Sequence, residues 1–141
     1  MSLEEDFTIG LYEAQSWLDR NRHEVVGEFD VERGYFWTAC AAVHNGNPIY
    51  WDEQVAKELT GGPTAPLTLL SAWFRPHYWM PGRDTIPLPW QTHFDLKEIL
   101  SLPEAVATDS EVVFGAPVRP GDRIRCTETL RSLSEVKTTK L

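Results

Sequence analysis

The stretch Val43-His44-Asn45-Gly46-Asn47-Pro48-Ile49-Tyr50-Trp51-Asp52-Glu53-Gln54-Val55-Ala56 decides how the chain is read. Just upstream, Asp30 to Ala42 sets Val31, Phe36, Trp37, Cys40 and Ala41 close to a 3.6-residue period, which predicts a helix. Asn45-Gly46 stops it. Pro48 lacks an N–H and pushes Asn47 toward extended backbone, so the helix cannot continue through them. Asp52 has the side chain of an N-cap and Glu53 suits a first turn, which predicts a second short helix over Glu53–Leu59. A tight polar turn therefore joins two helices.

Downstream, Thr60-Gly61-Gly62-Pro63-Thr64-Ala65-Pro66 leads into a run that is apolar on nearly every face until Pro76. This predicts a central helix over about Pro66–Arg75, buried almost all round. Pro66 fits a first turn and Thr64 an N-cap. Backbone donors would then gather just after Gly61-Gly62, a physical basis for holding a carbonyl oxygen or an anion.

With Asn47-Pro48-Ile49-Tyr50, Ala56 and then Gly61-Gly62-Pro63-Thr64-Ala65-Pro66 ahead of an apolar helix, the chain resembles the MaoC-like hydratase/dehydratase branch of the hotdog fold, in its N-terminal dehydratase-type domain. The family pattern is a helix ending in Gly-Asp-x-Asn-Pro-hydrophobe-His, with a small residue six positions after the His. Asn47, Pro48, Ile49 and Ala56 match it. Asn45 stands where the family has Asp, and Tyr50 where it has His. The string Pro117-Val118-Arg119-Pro120-Gly121-Asp122-Arg123 is a second match, to the turn before a long strand in such domains. The fold implied is α+β, an antiparallel sheet wrapped around the buried central helix.

At 141 residues and 42% hydrophobic content, with six Trp, the chain is expected to be one domain over 1–141 with a sizeable core. A formal charge of −8 argues against nucleic acid and anionic membranes, which need a positive field. No run approaches the ~18 apolar residues of a membrane span. The acidic N-terminus lacks the features of a secretion signal, so a cytoplasmic location is expected. Cys40 and Cys126 lack metal-ligand spacing and read as small hydrophobes. His23, His44, His77 and His93 form no His-x-x-x-His pair, so no metal site is expected.

Around this centre, Leu11 to Asn21 reads as a short amphipathic helix and Glu24 to Phe29 as a first strand. Pro76 to Pro89 is rich in Pro and Gly and reads as loop over an aromatic cluster of Trp73, Phe74, His77, Tyr78, Trp79 and Trp90. Trp73 and Trp79 are candidate walls of an acyl pocket, since pockets for apolar ligands are lined by such rings. Trp90–Phe94 reads as a strand, Asp95–Leu100 as a one- or two-turn helix and Ser110–Phe114 as a strand. From Arg123 to Arg131, Ile124, Cys126 and Leu130 alternate with polar residues in the clearest strand of the chain. Glu128 lies on its apolar face and is read as the point where the strand leaves the core rather than as a buried charge needing a partner. A further strand starts at Val136. The last strands of a hotdog are expected to be missing, and an open edge at Val136–Leu141 favours strand addition from a partner.

In the hydratases this chain resembles, Asp and His activate water for addition to a trans-2-enoyl-CoA, while backbone donors near the central helix hold the thioester oxygen. That chemistry needs a base that takes a proton near neutral pH and an oxyanion hole. Asn45 has no titratable group and a Tyr ordinarily has a pKa near ~10. His44 is a candidate surrogate base, but one residue along a helix end turns a side chain by roughly 100°. Asp52 is explained by its cap.

The resemblance extends to two-hotdog hydratases in which one half has lost Asp and His and shapes the acyl and CoA pocket; the non-catalytic partner in steroid side-chain hydratases also carries Asn-Pro-Ile-Tyr. It implies a subunit that binds an acyl-CoA thioester as substrate, without a cofactor, beside a second MaoC-like hotdog subunit. Asn47, Gly62, Thr64 and Ala65 are the implied binding positions, with Asn45 and Tyr50 vestigial. The alternatives are a self-sufficient hydratase or thioesterase using His44, and a scaffold hotdog in a thiolase or aldolase assembly.

Overall fold

A computed structural model describes residues 3–85, 90–102 and 104–135, with side chains from residue 7 onward. In chain order the elements are α1 (Leu3–Ser16), β1 (Asn21–Val26), α2 (Arg33–Ala42), α3 (Pro48–Trp51), α4 (Glu53–Thr60), a 3₁₀ turn (Leu67–Leu69), α5 (Leu70–Phe74), α6 (Gln91–Ile99) and β2 (Arg125–Thr129). β1 and β2 form a two-stranded sheet. Its antiparallel register continues at one end, where Gly27 N–H donates to Ile124 O at 2.8 Å; at the other, Leu18 and Leu130 form an isolated parallel bridge, with Asp19 N–H donating to Leu130 O at 2.9 Å. Among the described residues no helix is long and apolar enough to cross a membrane.

The chain forms two compact units, one of Met1–Glu24, Leu88–Asp109 and Thr127–Leu141, the other of Val25–Pro87 and Ser110–Cys126. In the first unit, α1 packs on α6 so closely that a Cβ on Gly10 would sit 1.9 Å from Ile99 O. Trp17 is buried and carries the Arg22 guanidinium 3.7 Å above its ring. Arg22 and His23 both reach the Asp95 carboxylate, at 3.1 and 2.7 Å.

Trp90–Phe94 is not a strand. Gln91 opens α6, whose residues Thr92, Leu96 and Ile99 recur at helical spacing, and the expected Asp95–Leu100 helix is its second half. The cause lies in the other expected exception. Glu128 does not mark an exit from the core, for its carboxylate accepts the N–H groups of Gln91 (3.1 Å) and Thr92 (2.8 Å), neutralising two of the orphan donors of α6.

The second unit holds the core. Val31, Phe36, Ala65, Trp73 and Val118 are buried together, with Phe29, Trp37, Leu67, Leu69, Leu70 and Ile124 packed around them. Each such aromatic or aliphatic side chain stabilises by about 1.5–3 kcal/mol when fully buried. The central segment is shorter and less covered than expected. It is a 3₁₀ turn followed by five α-helical residues, and only Trp73 and Phe74 are fully buried, while Leu67, Leu69 and Leu70 are half-buried. Among the described residues the sheet has two strands, and Thr68 on this segment is exposed.

Thr64 does not cap this segment; Pro66 holds the cap position of the 3₁₀ turn. Ser110–Phe114 has no regular structure, and Val112, Val113 and Phe114 are 66, 86 and 57% exposed. Strand-forming residues without a neighbouring strand do not make one. The first strand starts earlier than expected, at Asn21, and the first helix starts at Leu3. The expected aromatic cluster divides: Trp73 and Phe74 join the core, whereas Tyr78 and Trp79 are exposed. Val136–Leu141, Pro87 and Pro89 lie outside the described residues.

Candidate functional site

The turn from Asn45 to Trp51 is built by side chains bonding backbone. Asn45 N–H donates to Cys40 O at the end of α2 (2.8 Å), and Asn45 Oδ1 accepts Asn47 N–H (3.1 Å). Asn47 in turn caps α3, its Oδ1 accepting Ile49 N–H at 3.1 Å, with Pro48 in the first turn. Asp52 caps α4 as expected, accepting the N–H groups of Gln54 (2.8 Å) and Val55 (3.1 Å). α4 ends at Gly61, which takes the left-handed φ of 74° that only glycine adopts freely.

Two indoles then lock the turn. Trp37 Nε1–H donates to Tyr50 O (2.7 Å) and Trp51 Nε1–H to Asn45 O (2.8 Å), while the rings stack at 6.2 Å and 6°. Arg33 lies 5.4 Å from the Trp37 ring and pairs with Glu53. The crevice beside Tyr50, lined by Phe36, Trp37, Trp51, Ala56 and Thr64 among others, holds ≈ 10 Å³. One water needs about 10–15 Å³. Burial pushes the Tyr50 phenol above its ordinary pKa, with buried Cys40 adding to the shift. Tyr50 stays protonated and is no base.

The loop ahead of the central segment is fully engaged. Gly62 N–H donates to Ala56 O (3.2 Å), and Ala65 N–H to Val118 O (2.8 Å). The buried Thr64 hydroxyl also donates to Val118 O, at 3.1 Å. Arg119 clamps the same loop, through Nη2 to Thr60 O (2.6 Å) and Nη1 to Pro63 O (3.2 Å). Sequence reasoning noted Arg119 only as part of a turn; its long-range partners, nearly sixty positions away, leave no local signal.

Asn45 instead lines an open cleft of ≈ 360 Å³, together with Ala39, Cys40, Ala42, Val43, Pro66, Thr68 and Leu69. It runs between the end of α2 and the 3₁₀ turn. Neither Trp73, wholly buried in the core, nor Trp79, 72% exposed, lines it. His44 sits at a left-handed φ of 54° with an exposed side chain. The structure thus brings Asn45, Asn47 and Tyr50 into one turn and Gly62, Thr64 and Ala65 into one loop, and it separates Trp73 and Trp79 from both. In the other unit a hollow of ≈ 500 Å³ lies along Trp90, His93, Leu96 and residues 127–132. Among the described residues no group of three His, Cys, Asp or Glu is placed to hold a metal.

Three comparisons bear on this geometry. A probable enoyl-CoA hydratase alpha subunit from Thermomonospora curvata is 33% identical over 136 residues, 90% of this chain and 41% of that protein. The chain therefore spans well under half the length of that relative. The crystal structure of the ChsH1-ChsH2 complex from Mycobacterium tuberculosis superposes with a TM-score of 0.74 over 96% of this chain and 78% of that one, at 16% identity. That likeness shows the fold, a hotdog, of which β1, β2 and the central segment are parts. The FAS1-like dehydratase domain region matches residues 25–141, which takes in the Asn45–Trp51 turn, the Gly61–Pro66 loop and the Arg119 clamp, and the chain accordingly belongs to this MaoC-type hotdog family.

Proposed function

We propose that this chain is an acyl-CoA-binding, non-catalytic subunit of a heteromeric MaoC-like 2-enoyl-CoA hydratase, in which a second hotdog subunit supplies the Asp and His that add water to a trans-2-enoyl thioester. One observation carries the reading. At the family's acid/base positions this chain has a protonated phenol beside a crevice of ≈ 10 Å³ and an amide whose Oδ1 is spent on its own turn, whereas the adjacent cleft offers ≈ 360 Å³ of mainly apolar space. A site with no base to activate a water cannot hydrate an alkene. A cleft walled by Ala39, Ala42, Pro66 and Leu69 suits a hydrocarbon.

The relative named as an alpha subunit and the two-protein complex with the same fold support a partnered subunit, and the resemblance of Asn47-Pro48-Ile49-Tyr50 to steroid side-chain hydratases puts a steroidal acyl group in the substrate panel. In this reading the acyl group lies in the cleft beside Asn45. Gly62 and Ala65 support the loop through their backbone bonds. A cytoplasmic setting is part of the proposal.

The test is turnover of 2-enoyl-CoA esters, from short-chain to steroidal, by the purified chain and again after co-expression with a MaoC-like neighbour retaining Asp and His. Turnover only by the pair is expected, and Asn45→Asp should leave the isolated chain inactive, because Tyr50 remains. Turnover by the isolated chain would overturn the reading and direct attention to His44. Tight association with no effect on turnover or CoA affinity would favour a scaffold role instead.

A further inference from the structure

The polar turn holds a chemical feature that the proposed function does not use. Asn45 is followed by Gly46, and the pair lies at the surface, with Gly46 exposed and Asn45 half-buried. A Cβ on Gly46 would meet nothing within 4 Å, so the backbone there is unshielded. Among the described residues Gly46 N–H makes no hydrogen bond, while its neighbours Asn45 and Asn47 both donate. The Asn45 side-chain carbonyl accepts Asn47 N–H at 3.1 Å. That bond draws electron density from Cγ and faces the oxygen that gains charge when Cγ is attacked.

We infer that Asn45 is a deamidation site of the folded protein, with the Gly46 backbone nitrogen as nucleophile. After hydroxide takes the Gly46 N–H proton, the nitrogen bonds to Asn45 Cγ. The Cγ–Nδ2 bond then breaks, and the amide leaves as ammonia after taking a proton from water. The cyclic imide that remains takes up one water at either carbonyl and opens to an aspartate or an isoaspartate at position 45. No oxidant or reductant is needed.

Both products change the turn. A carboxylate here lies at the C-terminal end of α2, where the helix dipole opposes negative charge. An isoaspartate adds a methylene to the backbone, moving the carbonyl that accepts Trp51 Nε1–H and loosening the Trp37–Trp51 stack. The other two asparagines serve as internal controls. Asn21 precedes Arg22, whose side chain crowds the attack, and Asn47 precedes Pro48, which has no N–H to give up.

The experiment incubates the full chain in mildly alkaline buffer under native conditions and follows peptide masses, isoaspartate content and Trp emission, beside a synthetic peptide of residues Val43–Tyr50. Conversion at Asn45 but not at Asn21 or Asn47, accompanied by a shift in Trp emission, is expected. Gly46→Ala, which has space for its methyl group, should suppress the conversion without unfolding the chain. Retention of the Asn45 amide throughout an incubation that converts the peptide would overturn the inference. Unchanged conversion in Gly46→Ala would do the same.

Discussion

Trp51 Nε1 lies 2.8 Å from the backbone oxygen of Asn45, so the far end of the turn ties down its own beginning. Its ring is 45% exposed yet stacks flat on Trp37, which makes the same kind of bond to Tyr50 O. Trp51→Phe keeps an aromatic face and loses the donor; Trp51→Ala loses both. Chemical denaturation should show a cost of about 1 kcal/mol for the first and about 2 kcal/mol for the second. A Trp51→Phe variant as stable as the wild type would mean that the hydrogen bond contributes nothing, and equal costs for the two variants would mean that the stack contributes nothing.

Gly27 and Gly10 report on the two units separately. A Cβ on Gly27 would lie 1.9 Å from Trp73 O, and one on Gly10 1.9 Å from Ile99 O, both rigid backbone atoms. Either Gly→Ala change must displace a main chain, at about 3 kcal/mol or more. Thermal melts followed by circular dichroism should show a large loss for each. Amide exchange should place the Gly27→Ala damage around Trp73 and the Gly10→Ala damage in α1 and α6.

The parts of the fold that the sequence reveals are those with local punctuation. Asp52 and Gly61 each act within a few residues, and the helix they bound lies within a residue of expectation, whereas Pro48, read only as a stop, also opens the short helix α3. The central segment and the strands depend on what covers them. The segment from Pro66 to Arg75 reads as buried all round because an apolar composition cannot show which of its faces is covered, and Leu67, Leu69 and Leu70 are half-buried. Trp90–Phe94 reads as a strand because its helix is started from a distance, by Glu128. At the site, Asn45 and Tyr50 depart from the family pattern in the sequence itself, which is why the proposal starts from them. The two indoles that seal the crevice, and Arg119, show only in three dimensions.

That distant start is open to test. Glu128 accepts from Gln91 and Thr92, and its removal leaves two donors of α6 without a partner. Glu128→Ala should cost about 1–2 kcal/mol and fray the first turn of α6. Glu128→Gln, which keeps an acceptor but loses the charge, should recover part of this. Faster amide exchange at Gln91 and Thr92 in the alanine variant is the direct readout.

Glu28 anchors the loop from Pro76 to Arg83. It accepts His77 N–H at 3.0 Å and also binds the His77 ring and the Arg83 guanidinium. The His77 backbone bond, then Arg83 and the His77 ring, lower its pKa from 4.5 to about 2. A carboxylate depressed on folding stabilises the native state above its unfolded pKa, and that contribution is lost as the pH falls through the folded value. The anchor is therefore at full strength above about 4.5 and lost by about 2. The carboxylate is partly exposed, so the effect on global stability is modest. Glu28→Gln should lower stability at neutral pH and flatten its dependence between these two values, measured by urea titrations along a pH series. An unchanged slope would remove Glu28 from the acid response.

Arg119 joins three carbonyl-rich points of the second unit, with Nη2 on Thr60 O, Nη1 on Pro63 O and its own N–H on Asp122 Oδ2 at 2.7 Å. The guanidinium can span both loop carbonyls because it is a planar fork; a lysine ammonium is a single point. Gly62 leaves only 3.1 Å between a would-be Cβ and Nη1, at a φ of 142° that strains any other residue. Arg119→Lys should therefore destabilise almost as much as Arg119→Ala, by about 1–3 kcal/mol. Both should speed amide exchange at Gly62 and Ala65, whose donors depend on the loop staying seated on Ala56 and Val118. If exchange at Ala65 is unaltered in both variants, Val118 alone holds the loop and the clamp is incidental.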